Sequence, residues 1–105
     1  MKTIFEKIIS REIPANIIYE DDRVIAFLDV KPVQEGHFLV VPKNKANDLV
    51  EQNEDDYLYL MKKARELAKE FVLDKGITGF KMQSNIGSSA GQEVFHTHIH
   101  IIPYK

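Results

Sequence analysis

Three of the four histidines in the chain occupy alternate positions near its C-terminal end, at His96, His98 and His100. On a β-strand, alternate side chains point to the same face, with Cα atoms about 6.6 Å apart, so the three imidazoles would form one row. Neutral imidazole is a good nucleophile near neutral pH and can attack phosphorus to give a phosphohistidine. The alternative is a solvated strand face that carries histidines by chance, which leaves the shared register of three histidines unexplained. The pattern therefore predicts chemistry at a phosphorus atom.

Such a reaction needs hydrogen-bond donors for the phosphate oxygens, and a glycine- and serine-containing loop precedes the histidines. Its backbone N–H groups could form a phosphate cradle. The candidate donors are Gly87, Ser88, Ser89, Gly91 and Gln92. The same composition also fits a plain, flexible hairpin connection, so the loop alone does not decide between the two.

Two further polar residues stand beside predicted strands. His37 opens a strand directly after Gly36, and by itself it reads as a surface histidine at a strand edge. Asp29 follows the preceding strand, where it either caps the next loop or accepts hydrogen bonds from a ribose. For Asp29, loop capping is the more common role, and the sequence alone leaves both roles open.

The composition narrows the class of protein. A length of 105 residues predicts one domain over 1–105. The chain contains no cysteine, which excludes disulfides and thiolate metal sites within it. A net charge of −2 does not indicate nucleic-acid binding, and no apolar run is long enough to span a membrane. With no signal-peptide pattern at the start, we expect a cytoplasmic protein.

Local patterns predict an α+β fold. Thr3-Ile4-Phe5-Glu6 has capping-box spacing and predicts a short helix over about residues 4 to 10. Asn53, followed by three acidic residues, predicts the start of a long amphipathic helix that stops before Gly76. β-rich runs predict strands at 17–19, 24–28, 37–41, 80–85 and 94–103. Strands grouped around one long helix favour an antiparallel sheet.

The segment His96-Thr97-His98-Ile99-His100-Ile101-Ile102 resembles the histidine triad (HIT) superfamily, whose motif alternates histidines with apolar residues. Other segments are similar to the histidine triad nucleotide-binding protein branch, which contains purine nucleoside phosphoramidases. These segments are Thr3–Ile9, Glu12–Ala15, Tyr19–Arg23, Ala26–Asp29, Gly36–Lys43 and Gly91–Gln92. The resemblance implies a five-stranded antiparallel meander sheet, with one long and one short helix, that continues as ten strands across a homodimer.

The resemblance also implies a function and a set of site residues. The expected activity is hydrolysis of purine nucleoside 5′-phosphoramidates through a nucleotidyl-histidine, with no metal or other cofactor. His98 is the expected nucleophile, His100 the contact to the phosphate and leaving group, and His96 and His37 the supports of the nucleophile. Asn85 would hold the phosphate side, and Asp29 the ribose. The expected base pocket comprises Ile4, Phe5, Ile8, Phe27, Val30 and Leu39, and the nucleotide-binding set also includes Gly91, Glu93 and Val94.

Glu93 departs from the resemblance, because the branch often has Ser or Thr there, close to the leaving group. A carboxylate beside a phosphate repels it unless it is protonated or turned away, which bears on leaving-group preference and rate. Three alternatives remain: a dinucleoside polyphosphate hydrolase, a zinc hydrolase that uses two triad histidines with His37, and a nucleotide-binding scaffold with little turnover.

Overall fold

The structure is a computed structural model and describes residues 2–105. Its regular elements combine two α-helices with five β-strands in those residues. They are α1 (Ile4–Ile9), β1 (Ile17–Glu20), β2 (Val24–Leu28), β3 (Phe38–Pro42), α2 (Glu54–Phe71), β4 (Gly79–Gln83) and β5 (Ile99–Tyr104), with 3₁₀ turns at Leu73–Lys75 and Ser88–Ala90. The predicted α+β class is confirmed.

The strands described in residues 2–105 form one antiparallel sheet in the order β1-β2-β3-β5-β4. The first three strands follow one another as a meander. β5 then lies between β3 and β4, so β1 and β4 are the two edges. Placing the last strand inside the sheet brings His100 directly opposite Leu39 of β3.

The sheet has two apolar faces because its central strands alternate between them. One face packs against α2 and includes Val24, Ala26, Phe38, Val40, Ile99 and Ile101. The other packs against Phe5 and Ile8 of α1 and includes Ile25, Phe27, Leu39 and Val41. The short α1 covers only part of this second face, and the candidate site lies beside it.

Both helices begin where the sequence predicts. Thr3 and Glu6 form the full capping box of α1, and the Asn53 side chain accepts a hydrogen bond from Asp56 N at the start of α2. α2 ends earlier than predicted, at Phe71, and the chain continues through a 3₁₀ turn to Gly76. Gly76 has φ +86°, a left-handed conformation that suits glycine and terminates the turn.

The last strand is shorter than predicted, since β5 begins at Ile99 and not at Val94. His96 and His98 therefore precede the strand, and His100 is the only triad histidine on it. Longer-range hydrogen bonds explain the difference: Thr97 N donates to Ala46 O at 3.0 Å, which draws this segment away from β3. The prediction that three imidazoles form a row on one strand face is wrong.

Neither helix in residues 2–105 has both the length and the apolar character required to cross a membrane.

Candidate active site

A pocket of about 450 Å³ opens on the α1 side of the sheet, between the N-terminal end of α1 and strands β3, β5 and β4. It brings together most of the residues singled out from the sequence. Its polar lining includes Asp29, His37, Asn85, Glu93, His98 and His100, and its other predicted members are Ile4, Phe5, Val30, Leu39, Gly91 and Val94. The sequence thus located both a polar and an apolar side of the pocket.

The geometry fixes which nitrogen of His98 carries the proton. His98 Nδ1 lies 2.7 Å from the carbonyl oxygen of His96, and a carbonyl can only accept, so Nδ1–H donates. A neutral imidazole has one N–H, which leaves a lone pair on Nε2. Among residues 2–105, Nε2 has no hydrogen-bond partner. It is not sealed from solvent either, since Gln52 Oε1 is the one side-chain N or O atom in these residues that is both buried and without a partner. The lone pair is therefore open to the pocket.

A second chain of hydrogen bonds fixes the opposite tautomer in His100. The backbone N–H of Val33 donates to His37 Nδ1 at 3.1 Å, so neutral His37 carries its proton on Nε2. His37 Nε2 lies 2.9 Å from His100 Nδ1 and donates to it. Neutral His100 then carries its proton on Nε2, pointing a donor into the pocket. Adjacent imidazoles thus present one lone pair and one N–H donor, with ring centroids 5.1 Å apart.

Asp29 lies beside His37 and His100. Its Oδ1 accepts from Lys31 N at 2.9 Å, which is the loop-capping role. Its Oδ2 lies 3.5 Å from His37 Nε2 and 3.9 Å from His100 Nδ1. Asp29 therefore both shapes the loop and presents a carboxylate to the pocket, and His37 is only 3% exposed, so its interpretation as a surface histidine is wrong.

His96 lies behind the pocket. Its side chain is fully buried, its Nε2–H donates to Pro42 O at 2.7 Å, and Thr3 Oγ1 lies 3.4 Å from its Nδ1. It does not line the pocket, and it acts on His98 through its own backbone carbonyl. The expectation that a row of histidines is poor core material fails here, because both nitrogens of His96 have partners.

The pKa of each of the four imidazoles is lowered, which favours the neutral form. Burial is the largest cause and lowers the pKa of His37, His96 and His98 below the usual 6.5, although the hydrogen bond to His96 and the charge of Asp29 partly oppose it at His98. Burial also lowers the pKa of His100 to about 4, and the neighbouring His98 and His37 add to the shift. An uncharged His98 is the form that can attack phosphorus.

The same tautomers bear on metal binding. Asp29, His37 and His100 offer ligand atoms within 4.8 Å of one another. A metal on His37 Nε2 needs a lone pair there, which would put the ring proton on Nδ1, facing the N–H of Val33. Two donors would then face each other. The donor set therefore does not suit a metal ion, and the geometry argues against the zinc hydrolase.

The loop before the histidines is ordered by hydrogen bonds within it and by one to Asn47. Gly87 N donates to Gln92 Oε1 at 2.8 Å, and the buried Gln92 side chain donates to Asn47 O at 2.6 Å. The N–H groups of Gly91 and Gln92 bond to carbonyls inside the loop. The predicted phosphate cradle is thus wrong for these three donors, and Ser88 and Ser89 do not line the pocket. Gly91 lines it with φ +91°, a conformation that favours glycine.

Two predicted pocket residues lie elsewhere. Ile8 and Phe27 are buried in the core beneath the pocket, where the Phe27 ring contacts the ring of Phe5. The pocket also includes residues that the sequence reading missed, namely Lys31, Val33, Gln83 and Ile102. Strand alternation could have indicated two of them, since Ile102 lies two residues from His100, and Gln83 lies two from Asn85.

Comparison with known proteins identifies the family of this chain. Residues 10–105 match the family model of the HIT domain. The chain belongs to the HIT family. An uncharacterised 13.1 kDa HIT-like protein of Mesomycoplasma hyorhinis is 54% identical over 101 residues, 96% of this chain and 91% of that protein.

Two solved HIT structures superpose closely on this HIT chain. A hypothetical histidine triad nucleotide-binding protein from Sulfolobus tokodaii gives a TM-score of 0.89 at 39% identity, covering 96% of this chain and 68% of that one. A HIT family hydrolase from Clostridium thermocellum gives a TM-score of 0.86 at 37% identity, covering 99% and 91%. The fold described here is therefore a HIT fold.

Proposed function

We propose that this protein hydrolyses purine nucleoside 5′-phosphoramidates, such as adenosine 5′-phosphoramidate, through a covalent nucleotidyl-histidine on His98. The observation that carries the proposal is the His98 tautomer. The carbonyl of His96 holds the proton on Nδ1, so that Nε2 offers a lone pair to a pocket that also contains Asp29 and Asn85. The names of the Sulfolobus and Clostridium relatives, a nucleotide-binding protein and a hydrolase, support the same class.

The reaction divides into two displacements at phosphorus. In the first, His98 Nε2 bonds to phosphorus, the P–N bond breaks, and the nitrogen takes a proton from water and leaves as ammonia or an amine. The hydroxide left behind takes up the proton that water loses in the second displacement. The nucleotidylated ring carries a positive charge, which the hydrogen bond from Nδ1–H to the carbonyl of His96 stabilises. In the second, water attacks phosphorus, the P–Nε2 bond breaks, and the nucleoside monophosphate is released.

His100 and Asp29 have separate roles in this scheme. The Nε2–H of His100 donates to a phosphate oxygen, where negative charge is held during both displacements. Asp29 Oδ2 accepts from the ribose hydroxyls, and Asn85 binds the phosphate side. The base lies against the apolar wall of Ile4, Phe5, Val30 and Leu39.

The test compares two substrate classes on the same protein. Adenosine 5′-phosphoramidate and diadenosine tetraphosphate are assayed separately, with and without exhaustive chelation. We expect turnover of the phosphoramidate with a higher kcat/KM than the dinucleotide, unchanged by chelation. Preference for the dinucleotide would instead identify a dinucleoside polyphosphate hydrolase, and activity lost on chelation and restored by Zn²⁺ would identify a zinc hydrolase.

A second candidate is a nucleotide-binding scaffold with little turnover, and the observation that favours it is Glu93. Its carboxylate lines the pocket that would receive the phosphate, where its charge would slow attack by repelling the substrate. Tight binding of AMP with no turnover of an activated phosphoramidate would support this candidate and contradict the first.

We further propose a cytoplasmic homodimer. β4 is an edge strand, and the neighbouring helix α2 exposes Leu58 at 55% and Tyr57 at 37% of their surfaces, which is the edge and face that the dimer prediction uses. Sedimentation equilibrium tests the homodimer: we expect the mass of a dimer, and the mass of a monomer would contradict this proposal. The ten-stranded sheet remains a prediction.

A further inference from the structure

A second groove of about 380 Å³ adjoins the nucleotide pocket and has no role in the scheme above. It is lined by Lys2, Thr3, Ile4, Glu93, Val94 and Phe95. Three of these residues, Ile4, Glu93 and Val94, also line the nucleotide pocket, so the two spaces share one wall. The two spaces are therefore adjacent, and His98 lines the first of them.

The groove combines apolar surface with one negative charge. Phe95 is 43% exposed and Ile4 is 50% exposed, so both present apolar surface to an incoming group. Lys2, which also lines the groove, pairs through its Nζ with the Glu12 carboxylate, and this carboxylate offsets the positive charge of Lys2. Within residues 2–105, no lysine, arginine or histidine nitrogen forms an ion pair with Glu93. The charge complementary to this space is therefore positive.

We propose that this groove is the leaving-group site, and that Glu93 on its shared wall selects leaving groups that carry a cationic amine on a short aliphatic chain. This inference rests on the proposed phosphoramidase function and names the substrate class more closely. The same carboxylate that opposes an approaching phosphate attracts an ammonium group a few bonds beyond the phosphorus, while the aliphatic chain lies against Phe95 and Ile4.

The reaction itself is unchanged by this assignment. His98 Nε2 bonds to phosphorus, the P–N bond breaks, and the departing nitrogen takes a proton from water and leaves as a diamine with its distal ammonium unchanged. Since the leaving group is gone before the second displacement, its contacts affect kcat/KM, which reports the steps up to the first bond cleavage. They do not affect the hydrolysis of the nucleotidyl-histidine.

Three adenosine 5′-phosphoramidates test the proposal, with N-propyl, N-(3-aminopropyl) and N-(2-carboxyethyl) groups as neutral, cationic and anionic leaving groups. We expect kcat/KM for the cationic compound to exceed that of the neutral one by about threefold to fivefold at low salt, the upper part of the range of an exposed ion pair. We expect the anionic compound to be the slowest. The cationic advantage should shrink as added salt screens the charges.

Glu93→Gln is the decisive variant, because it keeps the shape of the side chain and removes its charge. It should bring the cationic-to-neutral ratio close to one and raise the rate of the anionic compound. Glu70→Gln, which removes an exposed charge of α2, is the matched control and should leave all three rates unchanged. Equal rates on the three compounds in the unaltered protein would overturn the inference and leave the phosphoramidase function standing. Failure to turn over any of them would overturn both.

Discussion

Two polar clusters lie on opposite faces of the same sheet, and one favours a charged group whereas the other favours neutral groups. On the α2 side, Asp21 accepts hydrogen bonds from Tyr19 Oη at 2.7 Å and Tyr59 Oη at 2.5 Å, and from the backbone N–H groups of Arg23 and Val24. Burial opposes its ionisation, but these donors outweigh burial and lower the pKa of Asp21 to about 2. The carboxylate remains charged.

The histidine cluster on the α1 side loses its charge instead. Burial lowers the pKa of each imidazole, and Asp29 opposes this only in part at His37, His98 and His100. The difference shows what decides the charge of a buried group: donors that converge on a carboxylate outweigh burial and preserve its charge, whereas at the imidazoles burial outweighs the carbonyl acceptors and the charge of Asp29. The first arrangement stabilises the fold, and the second favours the neutral form of His98 that the proposed reaction requires.

The largest expected difference between the histidine cluster and the Asp21 cluster is the effect of a substitution on catalysis. His98→Ala should lower kcat/KM for adenosine 5′-phosphoramidate by roughly 10³-fold or more, because no other lone pair replaces Nε2. AMP affinity and the unfolding midpoint should change little by comparison. Asp21→Asn is the control on the other face and should retain kcat/KM within about twofold. Unchanged turnover in His98→Ala would overturn the assignment of the nucleophile.

The second effect concerns stability. Asp21 has a folded pKa of about 2, below its ordinary value of 3.8, so its contribution is complete above pH 3.8 and is lost as the pH falls towards 2. Asp21→Asn should lower the free energy of unfolding at pH 7 by about 2 kcal/mol, the equivalent of that shift. Chemical denaturation measures it.

Asp22→Asn is the matched control, since Asp22 is an exposed residue of the same turn. It should change the free energy of unfolding by less than about 0.5 kcal/mol. Equal losses in the two variants would show that the tyrosine hydrogen bonds do not stabilise Asp21 in the manner described.

The third effect is the pH dependence of the rate. The proposed reaction uses the neutral form of His98. Its folded pKa lies below the ordinary 6.5, so we expect it to stay reactive at pH values where a free imidazole begins to protonate. We expect kcat/KM to change by less than about twofold between pH 7.5 and 6.5 and to fall only in more acidic solution. Because the imidazoles are coupled, the profile reports the pKa values of the cluster. A midpoint above 6.5 would contradict a desolvated, neutral triad.

The smallest effect tests the support behind the triad. Thr3→Val removes the hydroxyl that lies 3.4 Å from His96 Nδ1 and also caps α1. We expect kcat/KM to fall about threefold with KM unchanged, and the free energy of unfolding to fall by about 1 kcal/mol. Thr3→Ser keeps the hydroxyl and should restore the rate. If serine and valine give the same kcat, the hydroxyl does not position His96.

Elements set by local sequence were predictable to within a few residues. The capping box of Thr3 and Glu6 places α1, the Asn53 cap places α2, and the run Val24–Leu28 is β2 as predicted. Each depends on residues three or four apart, or on alternation within one strand, and such patterns are visible in a single sequence.

The predictions that were wrong concern features that depend on contacts between distant segments. β5 starts at Ile99 because Thr97 bonds to Ala46, and His96 is buried because Pro42 O accepts its proton. These partners are about 50 positions away, and no local pattern indicates them. His37 looked exposed for the same reason at its Nε2, whose partner is the distant ring of His100, although the N–H that bonds to its Nδ1 belongs to the nearby Val33. The histidine motif located the site, but only the fold shows which nitrogen of each ring faces the pocket.

The central claim is that His98 Nε2 bonds to phosphorus, and trapping the intermediate tests it most directly. The protein is mixed with a slowly hydrolysed adenosine 5′-phosphoramidate, quenched in base, and examined by intact mass and peptide mapping. We predict an acid-labile adduct with the mass of an adenylyl group on the peptide that contains His98, absent from His98→Ala. Turnover with no adduct on that peptide, or an adduct on another residue, would contradict the account.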